Sequence, residues 1–177
     1  MLAKSAGWLR YESFGKSLQG RDLPLLIADL DKCFTPEKSK SLGKTIVLVQ
    51  ACIHPGEPDG KDAGITLLRD MILNDNLREV LKNTTLLFIP IFSPDGHERF
   101  GPYNRINQNG PDEMGCRTNA VTPNLNRHFM KAETLQMQNW LILFTKWLPH
   151  LVIACHTTDG ADYQHQLTYS LELNGNM

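Results

Sequence analysis

The chain has 177 residues, 41% of them hydrophobic and 21% charged, with a formal net charge of −1. That is enough for one domain with a sizeable core, and a charge this close to zero provides no electrostatic drive toward nucleic acid or an anionic membrane. No apolar run approaches the ~20 residues of a membrane span.

The opening segment, MLAKSAGWLRYESF, lacks the continuous apolar core of a signal peptide, so a cytoplasmic location is expected. GKSLQGRDL (Gly15–Leu23) reads as a turn between strands. Although FGKS shares letters with a phosphate loop, Arg10 stands where that motif needs its first glycine. Leu23–Ala28 (LPLLIA) reads as a short strand, with Pro24 suggesting an edge position. Thr35–Lys44 (TPEKSKSLGK) reads as a turn-rich loop. Thr45–Ala51 (TIVLVQA) is a continuous β-branched apolar run, the signature of a buried strand. Lys61–Asn74 sets Ile65, Leu68, Met71 and Ile72 at helical spacing, and Asn76–Lys82 extends that helix or begins another.

Thr84–Phe92 (TTLLFIPIF) predicts a second buried strand. Ser93–His128 is long, polar and dense in Gly, Pro and Asn, the composition of a functional loop. Ala132–Leu148 predicts a helix ended near Pro149, with Trp140, Leu141, Phe144, Trp147 and Leu148 as its core face. His150–Cys155 (HLVIAC) predicts a third strand, and the alternation in Gln166–Leu173 suggests a fourth. Cys33, Cys52, Cys116 and Cys155 are dispersed with no CxxC. Cys52 and Cys155 lie in apolar runs and read as buried free thiols.

Strands separated by helices imply an α/β fold with a mixed, largely parallel sheet flanked by helices. In such sheets sites form beyond the carboxyl ends of strands. His54 follows one predicted strand, the Ser93–Asp95 turn follows the next, and His156 follows the third. Three strand ends therefore bring candidate chemistry to one edge.

HPGE supplies an imidazole (His54) and a carboxylate (Glu57) from one tight turn, and His156 can complete three protein ligands. Two histidines and a glutamate, with a fourth position open to water, form the donor set of a hydrolytic zinc site. In NLNR, Arg127 offers a planar fork for a carboxylate, with the Asn126 amide beside it. Arg117, in GCRTN, adds a cation that can stabilise a developing oxyanion.

These pieces resemble the M14 family of zinc metallocarboxypeptidases, with the carboxypeptidase A-like fold. GKSLQGRDL, HPGE, SPDG (Ser93–Gly96), NLNR and His156 follow the family's order across almost the whole chain. The resemblance implies one Zn²⁺ on His54, Glu57 and His156, with Asn126 and Arg127 binding a substrate's terminal carboxylate. Arg117 stands at the interval of the family's oxyanion arginine, with Arg105 as a rival. The expected substrate is a peptide with a free C-terminal carboxylate.

The chain departs from the family at several points. Asn124 stands where the family often has Asp, and Ser93 replaces the usual Asn. The family's general-base glutamate lies well beyond its third ligand, whereas 21 residues follow His156 here. Glu172, the one glutamate among them, is not assigned that role, and Tyr163 and Tyr169 come too early to be the family's capping tyrosine. Residues 1–177 are therefore expected to form one partial catalytic domain, C-terminally incomplete, with a sheet edge left open to association. Two other functions share the motifs: a zinc-dependent deacylase of N-acyl amino acids or muropeptides, and an inactive fragment serving as a binding module.

Overall fold

The computed structural model describes residues 2–105, 108, 111–118, 124–158, 164–165 and 167–170. The elements in chain order are α1 (Leu2–Ser5), β1 (Leu9–Lys16), β2 (Asp22–Ala28), α2 (Pro36–Ser41), β3 (Thr45–Gln50), α3 (Asp59–Leu73) and α4 (Asp75–Arg78). A 3₁₀ turn (Glu79–Lys82) leads into β4 (Thr84–Ile89), followed by α5 (Pro94–His97), a second 3₁₀ turn (Leu125–Arg127), α6 (Leu135–Trp147) and β5 (Leu151–Ala154).

The sheet order is β1-β2-β4-β3-β5. β4, β3 and β5 run parallel to one another, while β2 is antiparallel to β4 and β1 antiparallel to β2. Three adjacent parallel strands therefore end on the same edge, as their apolar runs and intervening helices predicted.

The three central strands β2, β4 and β3 divide their side chains between two cores. Leu25 and Ile27, Ile46 and Leu48, and Leu87 and Ile89 pack with Met137, Trp140, Leu143 and Trp147 of α6. On the other face Leu26, Ala28 and Phe88 pack with Leu68 and Met71 of α3. The molecule is thus a helix–sheet–helix sandwich, and strands covered on both faces carry little polar alternation. Trp140 stacks on Phe144 and meets Phe129 edge-on, both with ring centroids 5.1 Å apart.

Several sequence expectations are corrected. Pro24 does not mark an edge: β2 lies between β1 and β4. Its β4 ladder runs only from Leu26 to Ala28, so the proline's missing N–H removes no bond from that side. The edge on that side is β1, a polar strand held by its partner rather than by its own hydrophobicity. Thr35–Lys44 contains helix α2. Thr35 caps it by accepting from Lys38 N, Pro36 sits in its first turn, and Glu37 faces its positive end.

On α3, Ile65 is exposed while Leu68 and Met71 face the sheet. Leu148 is not core either. It takes the left-handed conformation (φ 48°) that ends α6, donating its N–H to Phe144 O at 2.7 Å, and is 55% exposed. Of the suggested fourth strand, Leu167–Ser170 carries no ladder, and Gln166 and residues 171–173 lie outside the described residues.

α3 approaches the sheet closely because Gly60 and Gly64 face it. A Cβ at Gly64 would lie 2.3 Å from Phe88 Cζ, and one at Gly60 would lie 2.3 Å from Cys155 Cβ. Gly64→Ala should therefore destabilise the fold by about 1–2 kcal/mol, overpacking outweighing alanine's better helix propensity. Urea denaturation of Gly64→Ala and of Gly64→Ala/Phe88→Leu measures this, with partial recovery expected in the double variant.

Candidate metal centre

β3 ends at Gln50, and the chain then turns sharply through Cys52, which holds φ 52°. A left-handed conformation is costly for a residue with a Cβ. It is held by backbone bonds on both sides: Ala51 N donates to Ile89 O at 2.9 Å, and Ser93 N donates to Cys52 O at 3.1 Å. The Cys52 thiol contacts Glu57 O at 3.5 Å. Beyond this bend the HPGE turn closes through Glu57 N donating to His54 O at 3.0 Å. Both side chains of the pair are buried.

His156, two residues past β5, completes the group. His54 Nδ1 lies 3.0 Å from Glu57 Oε1, and His156 Nδ1 lies 2.9 Å from Glu57 Oε2. The two imidazole rings stand 5.1 Å apart, centre to centre. One donor atom from each of His54, Glu57 and His156 falls within a set spanning no more than 4.8 Å. Two nitrogens and a carboxylate at this spacing match the donors of a catalytic zinc site. The far nitrogen of His54, Nε2, meets Asn124 Oδ1 at 2.9 Å, the kind of outer partner that fixes the tautomer of a ligating histidine. On chemistry and geometry alike, the residues fit a single divalent ion. The His156 side chain is 33% exposed, which opens the group to solvent on one side.

Burial alone would raise the Glu57 carboxyl. Hydrogen bonds with His156, His54 and Arg105 outweigh it and hold the group well below the usual carboxylate range. Arg105 Nη2 donates to Glu57 Oε1 at 2.9 Å, and Thr157 N donates to Oε2 at 3.3 Å. Sequence patterns carried no sign of either contact. Arg105 had been paired with Arg117 as a rival for an oxyanion role, and it is Arg105 that sits on the carboxylate, its side chain only 1% exposed.

Asn124 joins the group to the NLNR segment. Its Oδ1 also accepts from Asn126 N at 3.1 Å, fixing the 3₁₀ turn that carries Asn126 and Arg127. Asn126 is half-buried and Arg127 exposed. Arg117 is half-buried on a segment tied to the neighbouring turn, Cys116 N donating to Gly96 O at 2.8 Å.

The SPDG turn and GKSLQGRDL prove to be one structure. Asp95, fully buried, accepts from Ser17 Oγ at 2.6 Å, Gln19 N at 3.3 Å and Arg21 Nη1 at 2.9 Å. Ser93 N, bonded to Cys52 O, ties these motifs to the bend that leads into HPGE.

The fold is α/β, and the converged donors of His54, Glu57 and His156 could hold a metal ion. The zinc carboxypeptidase family model, Peptidase_M14, matches residues 2–141, and the chain belongs to that family. Carboxypeptidase 2 of Trichophyton rubrum is 28% identical over 157 residues, covering 88% of this chain and 26% of the relative. The chain thus spans about a quarter of the length of the curated relatives it matches. A metallo-carboxypeptidase from Burkholderia cenocepacia superposes with TM-score 0.67 at 20% identity, over 88% of this chain and 38% of that one. One from Pseudomonas aeruginosa, in complex with (2-guanidinoethylmercapto)succinic acid, has TM-score 0.67 at 20% identity, over 90% of this chain and 38% of its own. At these identities the solved structures speak to the fold. No described helix is long and apolar enough to cross a membrane.

Asp95→Ala should cost about 2 kcal/mol, because it leaves Ser17 Oγ and Gln19 N without their acceptor, while the part-exposed Arg21 keeps its bond to Gln19. Thermal and urea unfolding measure that loss. The thiols should separate by reactivity. Burial pushes Cys52 up to about 12, so it stays a protonated thiol at ordinary pH. Burial also raises Cys116, but hydrogen bonds from Thr118 outweigh this and hold it below its usual value. Iodoacetamide at pH 8 should label Cys116 ahead of Cys33 and Cys52, as read by peptide mass spectrometry.

Proposed function

We propose that this chain carries the metal centre of a zinc-dependent carboxypeptidase, which removes C-terminal residues from peptides. The observation that supports this most is the convergence of two imidazole Nδ1 atoms on the single buried carboxylate of Glu57. In this reading His54, Glu57 and His156 hold one Zn²⁺. The ion, when bound, supplies Lewis-acid polarisation and lowers the pKa of water.

The remaining roles belong to the chain's own side chains. Asn126 and Arg127 grip the free C-terminal carboxylate of a peptide, which makes the reaction an exopeptidase one. The Pseudomonas aeruginosa metallo-carboxypeptidase was solved with a succinic acid derivative, a carboxylate-bearing molecule, which is compatible with such a clamp. Arg117 polarises the scissile carbonyl and holds its developing negative charge. Arg105 is a poorer candidate for that task, since its side chain is buried against Glu57 and turned away from solvent. Asn124 keeps the His54 proton on Nε2, leaving Nδ1 to face inward. A separate base must take the proton from water. Glu172 lies outside the described residues and is not assigned that task.

The expected metal content is about one zinc per chain. His54→Ala and Glu57→Gln should each abolish tight binding, as measured by elemental analysis after gel filtration in zinc-buffered solution. Zinc retained at full stoichiometry in His54→Ala would overturn the ligand assignment. Amino-acid release from C-terminally free peptides, compared with release from N-acyl amino acids, distinguishes carboxypeptidase from deacylase. Turnover of neither by the zinc-loaded chain would favour the binding-module alternative.

A further inference from the structure

The metal-ligand group has an outer wall that the family motifs do not account for. Glu57 receives one donor on each oxygen from outside the three proposed ligands: Arg105 Nη2 on Oε1 at 2.9 Å and Thr157 N on Oε2 at 3.3 Å. Gln108 bridges the two donors. Its amide oxygen accepts from Arg105 Nη2 at 3.2 Å and from Thr157 Oγ1 at 3.1 Å, while its nitrogen donates to Gly56 O at 3.3 Å. The arginine stem lies directly over the HPGE turn. A Cβ at Gly56 would stand 2.9 Å from Arg105 Cγ and 3.1 Å from Gly115 O, so the glycine in that turn makes room for the arginine.

This arrangement has a physical consequence. A buried carboxylate is costly unless paired and hydrogen-bonded. A guanidinium seated on it limits its rotamers before any cation arrives. It also draws some electron density from Oε1, but the cost of ordering a freely rotating carboxylate at the moment of binding outweighs that loss of donor strength. Partners of this kind, acting on a ligand rather than on the ion, typically change metal affinity 10–100-fold.

We infer that Arg105, bridged by Gln108 to Thr157, is a positioning residue that holds the Glu57 carboxylate in its ligating pose and thereby sets the affinity of the site for its divalent cation. This rests on the metal-site reading above. Arg105 acts through Glu57 and touches no substrate. The residue that resembled a second oxyanion arginine in the sequence is thus assigned to the opposite side of the chemistry.

The test measures Zn²⁺ affinity of the full chain by chelator competition for wild type, Arg105→Gln and Arg105→Lys, with the visible spectrum of the Co²⁺ forms recorded in parallel. Circular dichroism reports whether each variant folds. Arg105→Gln should bind zinc roughly 10–100-fold more weakly and shift the cobalt bands. Arg105→Lys, which keeps the charge but loses the fork, should fall between. Arg105→Gln affinity within about twofold of wild type, or a fall with an unchanged cobalt spectrum, would overturn the inference while leaving the metal site intact. If Arg105→Gln does not fold, Arg105→Lys decides by the same two criteria. A wild-type chain that binds neither ion would instead overturn the metal-site reading itself.

Discussion

One buried carboxylate organises this protein. Glu57 sits on a turn after β3 and is reached by His54 from its own turn, by His156 from beyond β5 and by Arg105 from the long loop. A carboxylate so deep in the protein must stay charged to be useful, and only hydrogen bonds and opposite charge make that tolerable. Each segment that meets it is therefore constrained in position. The parallel order of β4, β3 and β5 is what allows the meeting, because it puts three carboxyl ends side by side.

Around that carboxylate the turns are interlocked rather than merely adjacent. Ser93 N bonds Cys52 O, Cys116 N bonds Gly96 O, and Asp95 binds the Ser17–Arg21 turn. The strained backbone at Cys52 is over-determined by these bonds, as functional bends often are. Asn124 extends the same logic outward, joining His54 to the turn that carries Asn126 and Arg127. The proposed ligands and the proposed substrate clamp are thus held by a common set of short contacts. At the far side of the sheet β5 remains exposed along its length, with Leu151 50% and Ile153 43% accessible. Its burial is the least complete of any strand, even though it delivers His156.

Much of this was readable from residues alone, and the reasons are local. β-branched apolar runs made Thr45–Gln50 and Thr84–Ile89 strands, and helical spacing with a late proline outlined α6. Errors arose where a partner, not the segment, determines structure. β1 is a polar strand that exists because β2 pairs with it, and Pro24 is tolerated inside the sheet because the β4 ladder stops short of it. Ile65 follows the helical period yet faces solvent, since close approach through Gly60 and Gly64 sets which stripe of α3 meets the sheet.

The sequence by itself determined the chemistry on offer: an imidazole and a carboxylate three residues apart, a distant histidine, and an asparagine–arginine pair, in the order of a known family. Residue type and chain order are enough for that, because donor chemistry belongs to the side chain. The tertiary structure alone decided which charges meet. Its interval to NLNR singles out Arg117 in the sequence, but nothing along the chain gives Arg105 a partner. Only the folding of the loop back over HPGE put Arg105 on Glu57, with Gln108 and Thr157 beside it. Contacts between residues about 50 and 100 positions apart carry no periodicity or spacing, so no pattern along the chain could have announced them.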